Sequence, residues 1–117
     1  METVNGCVVI PHSPEPAQFG AAEMQGAYRV LLGEYPLDAP ATPLHVHPTT
    51  DEAFYVADGQ ATFVLGDREI VVETGGMVFV PRGVQHTVLN TGDRPIRGLI
   101  LISPGDAEHE FVPVDES

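Results

Sequence analysis

Glycine and proline are spread through the whole chain, 12 Gly and 11 Pro in 117 residues. Between them, no stretch of a dozen residues keeps a helical period. Proline removes a backbone donor and breaks a helix, and glycine weakens one. The pieces left over are short and rich in Val, Ile, Phe and Tyr, which is the signature of strands separated by turns. Strands are expected near Cys7–Ile10, Ala27–Glu34, Leu44–His47, Glu52–Ala57, Gln60–Leu65, Arg68–Glu73, Met77–Val80, His86–Asn90 and Ile96–Ser103. Asp58-Gly59 and Gly66-Asp67 read as tight hairpin turns. Many short strands at regular spacing indicate an all-β antiparallel sandwich or barrel. Ser13–Gln25 reads as a surface arm with one helical turn around Ala21–Gln25. The tail after Pro104 is expected either to pair as an edge strand through Phe111–Val114 or to fray.

The length suits one domain, and the apolar fraction of 43% suits a packed core. No apolar run approaches a membrane span, and the opening METVNGCVVIPHSPEP has no secretory pattern. Seventeen acids face five Arg and no Lys, for a net charge of −12. Such a surface repels nucleic acid and anionic lipid. It favours neutral or cationic small molecules, although an Arg inside a pocket would reverse this locally. Without Lys there is no Schiff-base chemistry and no Walker-type phosphate loop. The lone Cys7 forbids an internal disulfide and multi-cysteine zinc sites. It is expected to be a small buried residue within GCVVI. A cytoplasmic location is expected.

The chemistry gathers around histidine. In His45-Val46-His47 the two imidazoles fall on one face of a strand, because side chains alternate. Taken alone, such a pair is more often an exposed polar feature, here beside Pro48, than a metal site. Pro48-Thr49-Thr50-Asp51 then turns the chain, so that Glu52 opens the next strand towards the same interior. His86 begins a later strand and offers a third imidazole. Three imidazoles and one carboxylate suit one divalent transition metal, Fe, Mn, Co, Ni, Cu or Zn. In an octahedral shell, four such ligands leave two positions free for substrate or water.

The spacing of these residues resembles the two motifs of the cupin superfamily. HVHPTTDEAFYVADG supplies His45, His47, Glu52 and Gly59, and GGMVFVPRGVQHTVLN supplies Gly75, Pro81, Gly83, His86 and Asn90. Nine of ten motif positions match, and Ala39 stands where the first motif opens with Gly. The gap from Gly59 to Gly75 is short, as in small microbial single-domain cupins. The resemblance implies an antiparallel jelly-roll β-barrel over about residues 27–103 of a single domain spanning 1–117. Residues 1–26 would form an N-terminal arm and 104–117 a C-terminal tail. It also implies a metal held by His45, His47, Glu52 and His86, and a homodimer.

By alternation from Glu52 and His86, the substrate pocket should include Phe54, Val56 and Val88. Phe63, Leu65, Val30 and Phe79 are candidates from neighbouring strands, and Tyr28 and Gln85 are the polar ones. Asn90 should fasten backbone, and Arg82 should be solvated. His12 and His109 have no patterned partner, and Glu108-His109-Glu110 reads as a solvated tail. Two classes of function follow. The first is a metal enzyme acting on a neutral small molecule with enol or phenol oxygens, a dioxygenase or a polyketide cyclase or isomerase, with Glu52 as catalytic base. The second is a cupin that binds a metal or small ligand without turnover, as a sensor or storage module. The expected partners are a small molecule and a second copy, with no nucleic acid and no membrane.

Overall fold

A computed structural model describes residues 2–10, 17–19, 22–37, 39 and 42–114. His12 and Ala21 lie outside the described residues. Twelve strands follow in order: β1 (Glu2–Val4), β2 (Cys7–Val9), β3 (Ala17–Phe19), β4 (Arg29–Tyr35), β5 (His45–Val46) and β6 (Asp51–Asp58), then β7 (Gln60–Leu65), β8 (Arg68–Glu73), β9 (Met77–Val80), β10 (His86–Asn90), β11 (Ile96–Ser103) and β12 (Val112–Pro113). Among the described residues there is no helix. The expected helical turn is a set of plain turns over 22–26.

Two five-stranded antiparallel sheets face each other, ordered β12-β5-β10-β7-β8 and β3-β4-β11-β6-β9. Sequence neighbours often lie in different sheets, so the chain winds around the barrel as a jelly roll. The hairpin β6–β7 crosses from one sheet to the other through Asp58-Gly59. Gly59 has φ +110°, and a Cβ there would lie 3.1 Å from the Pro95 carbonyl oxygen and from Ile96 Cα. Only glycine satisfies both demands. Between the sheets lies the core of Phe54, Val56, Ala61, Phe63, Val80 and Ile96. Phe54 and Phe63 meet edge to face with centroids 5.2 Å apart.

Alternation sorts the second sheet cleanly. Glu52, Phe54 and Val56 are buried, while Tyr55, between them, is exposed. In register across the strands, Val30, Leu101, Ala53 and Phe79 form one row on the outer face, and Leu32, Leu99, Tyr55 and Met77 form the next. Phe79 therefore belongs to this outer face and not to the pocket, and it is 60% exposed. Cys7 is exposed as well. Among the described residues the hairpin β1–β2 forms a two-stranded sheet of its own, and alternation half-buries Val8 rather than the cysteine.

Phe63 is 2% exposed and sits at the centre of the core. Phe63→Ala should cost about 3–5 kcal/mol of stability, as large-to-small core changes do. Urea unfolding measures it, and a loss below about 1 kcal/mol would show that this ring is not packed as described.

Candidate metal centre

Four residues from three strands converge at one end of the barrel. His45 lies on β5 and His47 just beyond it, Glu52 is on β6, and His86 opens β10. The two sheets contribute unequally: the imidazoles come from one side and the carboxylate from the other. His86 and His45 are directly paired across β10 and β5, which brings their ring centroids to 4.4 Å. The ring of His47 lies 4.9 Å from that of His45. One donor atom from each of His45, His47, Glu52 and His86 lies within 4.8 Å of the others, and all four residues are buried.

Glu52 Oε1 is 2.9 Å from His47 Nε2 and 2.9 Å from His86 Nε2. Burial pushes the Glu52 carboxyl up. The His86 hydrogen bond and the imidazoles of His47, His86 and His109 outweigh it and hold the group below its ordinary value. Burial likewise works against a charged His86, but Glu52 and the Val84 carbonyl raise it. His45 is lowered, mainly by burial.

The other ring nitrogen of each histidine decides how the set fits a cation. Nδ1–H of His45 donates to the Pro43 carbonyl at 2.9 Å, that of His86 to the Val84 carbonyl at 2.9 Å, and that of His47 to the Glu110 carbonyl at 2.5 Å. A carbonyl only accepts, so each Nδ1 carries the proton. All three Nε2 atoms are left to face the centre. This is the outer arrangement that orients histidine ligands around a metal. Three imidazole nitrogens and an ionised carboxylate, buried and mutually close, fit a divalent transition metal.

The tail is part of this site. His109 was expected to be solvated. Its ring instead stacks on His47 with centroids 3.8 Å apart, and its Nε2 lies 3.7 Å from Glu52 Oε2. Burial, with the neighbouring His47, lowers its pKa to about 4. Phe111 stacks on His45 at 4.1 Å. No spacing rule in the sequence links residue 109 to residue 47; only the pairing of β12 with β5 does so. Arg29, which no pattern in the sequence singles out, donates from Nη2 to the Ala107 carbonyl at 2.8 Å, and among the described residues its buried Nε has no hydrogen-bond partner.

An apolar cavity of about 310 Å³ lies within the barrel, and none of the four converging residues lines it. Phe54, Phe63, Val88, Leu31, Tyr35 and Ile100 are among its walls. Phe54 joins cavity to centre, with its ring 6.3 Å from that of His86. Tyr28 and Gln85 do not line this cavity. Tyr28 shares the parity of Val30, so with Val30 it lines a separate groove on the outer face. Gln85 lies exposed in the loop before β10. Asn90 fastens backbone, donating to the carbonyls of Tyr35 and Arg94. Asp51 points away from Glu52 and pairs with Arg82 at 3.2 Å.

An antiparallel jelly-roll barrel with a buried His-His-Glu-His set at its mouth defines a class of small metal-fitting β-barrels. The chain belongs to the cupin family: the family model for the cupin domain matches residues 31–102. It is 33% identical over 92 residues to the tetracenomycin polyketide synthase protein TcmJ of Streptomyces glaucescens, covering 77% of this chain and 61% of that protein. An uncharacterized Streptomyces coelicolor protein, SCO3923, is 32% identical over 93 residues, covering 74% of this chain and 88% of its own length. The chain thus spans less than two thirds of TcmJ. A cupin 2 domain-containing protein from Halorhodospira halophila has the same fold, with a TM-score of 0.72 at 19% identity over 92% of this chain and 73% of that one. So does a double-stranded β-helix protein from Klebsiella pneumoniae, with a TM-score of 0.69 at 20% identity over 91% of both chains. Among the described residues no helix is long and apolar enough to cross a membrane.

Arg82 and Asp51 form an exposed pair, which contributes little to stability. Arg82→Ala should leave Tm and metal content as in the wild type. A loss of metal in that variant would show that the bend before His86 depends on the pair.

Proposed function

We propose that this chain is a metal-dependent cupin enzyme of the polyketide cyclase or isomerase type, acting on a neutral small molecule with enol or phenol oxygens. The observation that carries the reading is the buried His45, His47, Glu52 and His86 set, with Phe54, a wall of the apolar cavity, 6.3 Å from the ring of His86. The similarity to TcmJ, named as a polyketide synthase protein, supports the choice of substrate class. A cavity of this size and character suits a small aromatic or aliphatic ligand.

A divalent metal bound here would act as a Lewis acid and lower the pKa of an enol or phenol. The chain's own residues do the rest. Phe54, Phe63 and Val88 exclude water and hold the apolar body of the molecule. The three Nδ1–carbonyl bonds keep the imidazoles from turning. Glu52 is ionised, and its Oε2 is free of the two 2.9 Å contacts. That oxygen is the proposed proton acceptor. Its lowered pKa makes it a weak base and a good ligand, so proton transfer to it depends on how acidic the substrate becomes.

Elemental analysis of the full chain tests the reading. It should find on the order of one transition metal per chain, lost in Glu52→Ala and His47→Ala, because removing a ligand removes the site. A wild-type protein that takes up none of Fe(II), Ni(II), Mn(II) or Zn(II) would overturn it. With metal bound, enolisation or ring closure of a 1,3-diketone without oxygen uptake is the expected activity. Oxygen consumption would point to a dioxygenase instead, and no turnover would point to a binding protein.

A second copy is the proposed macromolecular partner. A chain of net charge −12 repels its own copy except where charge is absent. The two outer rows on the second sheet hold eight uncharged residues, with Tyr55, Met77 and Phe79 well exposed. Light scattering should give a dimer for the wild type and a monomer for Phe79→Glu. A monomeric wild type would remove this face as an interface.

A further inference from the structure

The histidines differ in where their outer hydrogen bonds come from. His45 and His86 each donate to a carbonyl two residues back in their own segment. His47 donates to the carbonyl of Glu110, 63 residues away. That segment lies beyond residues 31–102, the part matched by the family model.

From 105 onward the tail is fastened almost residue by residue. Gly105 N–H donates to the Gly26 carbonyl at 3.0 Å, and a Cβ at Gly105 would lie 2.6 Å from the Tyr28 backbone. Arg29 holds the Ala107 carbonyl at 2.8 Å, and Thr49 Oγ1 donates to the Glu108 carbonyl at 2.7 Å. His109 Nδ1 meets the buried Thr50 hydroxyl at 2.6 Å. Glu110 and Phe111 then engage His47 and His45. Val112 and Pro113 pair with Val46 and His45, and Val114 N–H donates to the Leu44 carbonyl at 2.9 Å. A frayed end would show no such series.

We propose that residues 107–114 form a strap that completes the metal centre, with Glu110, His109 and Phe111 as positioning residues. The Glu110 carbonyl sets the tautomer and orientation of His47. The rings of His109 and Phe111 lie flat on His47 and His45 and stop them from tilting. The strap covers ring faces of His47 and His45, whereas Phe54 approaches the ring of His86. Without the strap, His47 loses the carbonyl that anchors its Nδ1 and presents Nε2 less firmly. Outer partners of this kind change metal affinity by about 10–100-fold.

This inference rests on the metal reading above, and its test separates the two. Full-length protein is loaded with Co(II), and its visible absorption and release to excess EDTA are followed. Phe111→Ala should release Co(II) about 10–100-fold faster than wild type and shift the absorption band. Phe111→Tyr, which keeps the ring, should restore both. Thr49→Val gives the same readout if Phe111→Ala does not fold. Nitrogen-15 imidazole spectra of the metal-free protein supply the independent arm: the His47 Nδ1–H signal should be protected in wild type and lost in Phe111→Ala. Unchanged release, spectrum and His47 signal in Phe111→Ala would overturn the strap. A wild type that takes up no Co(II) yet keeps a strap-dependent His47 signal would overturn the metal reading alone.

Discussion

A buried carboxylate governs the architecture of this barrel. Taking Glu52 out of water costs several kcal/mol unless charge and hydrogen bonds replace the lost hydration. The imidazoles of His47 and His86 stand 2.9 Å from the same oxygen, and a divalent cation held among them would supply the compensating charge. Glu52 belongs to one sheet and the imidazoles to the side of the other. The interaction therefore ties the two layers together at the end where the hydrophobic core of Phe54, Phe63 and Val80 stops. It also explains why the surrounding backbone is so closely specified. An imidazole that turned over would leave a donor or acceptor unpaired in the interior, and three backbone carbonyls hold the rings against that.

Charge elsewhere is arranged to leave this end of the barrel undisturbed. Arg82, Arg94 and Arg97 sit in exposed pairs with Asp51, Asp58 and Glu34. Arg29 holds the tail through a backbone carbonyl instead. The cavity within the barrel is walled mostly by apolar side chains, with Glu34 also in its lining. A neutral ligand enters it without losing charge–water interactions, whereas a free anion would meet no cationic wall among its lining residues. Composition and cavity thus both disfavour a free anion by separate routes, long-range repulsion in one case and desolvation in the other.

The strand plan was largely legible because it depends on local patterns. Turn residues at Asp58-Gly59 and Gly66-Asp67 bound β7 and β8 to the residue, and alternation placed Phe54, Val56 and Val88 inward. Alternation and its limits also account for the residues that lie elsewhere than expected. Phe79 shares the parity of Met77 and so faces outward. Tyr28 shares that of Val30, and Gln85 sits in a loop to which the period of two does not apply. Cys7 lies in an apolar run, but a two-stranded hairpin has no second layer to bury it. His109 carried no signal at all, since its partners are about 60 residues distant in sequence.

The amino-acid order by itself determined which side chains could bind a cation together. His45, His47, Glu52 and His86 stand at spacings that put them on inward faces, and both the period of a strand and the geometry of a turn are local properties. Only the tertiary structure decided what surrounds them. The pairing of β12 with β5 brings His109, Glu110 and Phe111 onto the histidines, and the facing of two sheets sets the cavity beside Phe54. Those contacts join residues far apart in the chain. Their free energy comes from packing and burial that no short stretch of sequence possesses until the barrel closes.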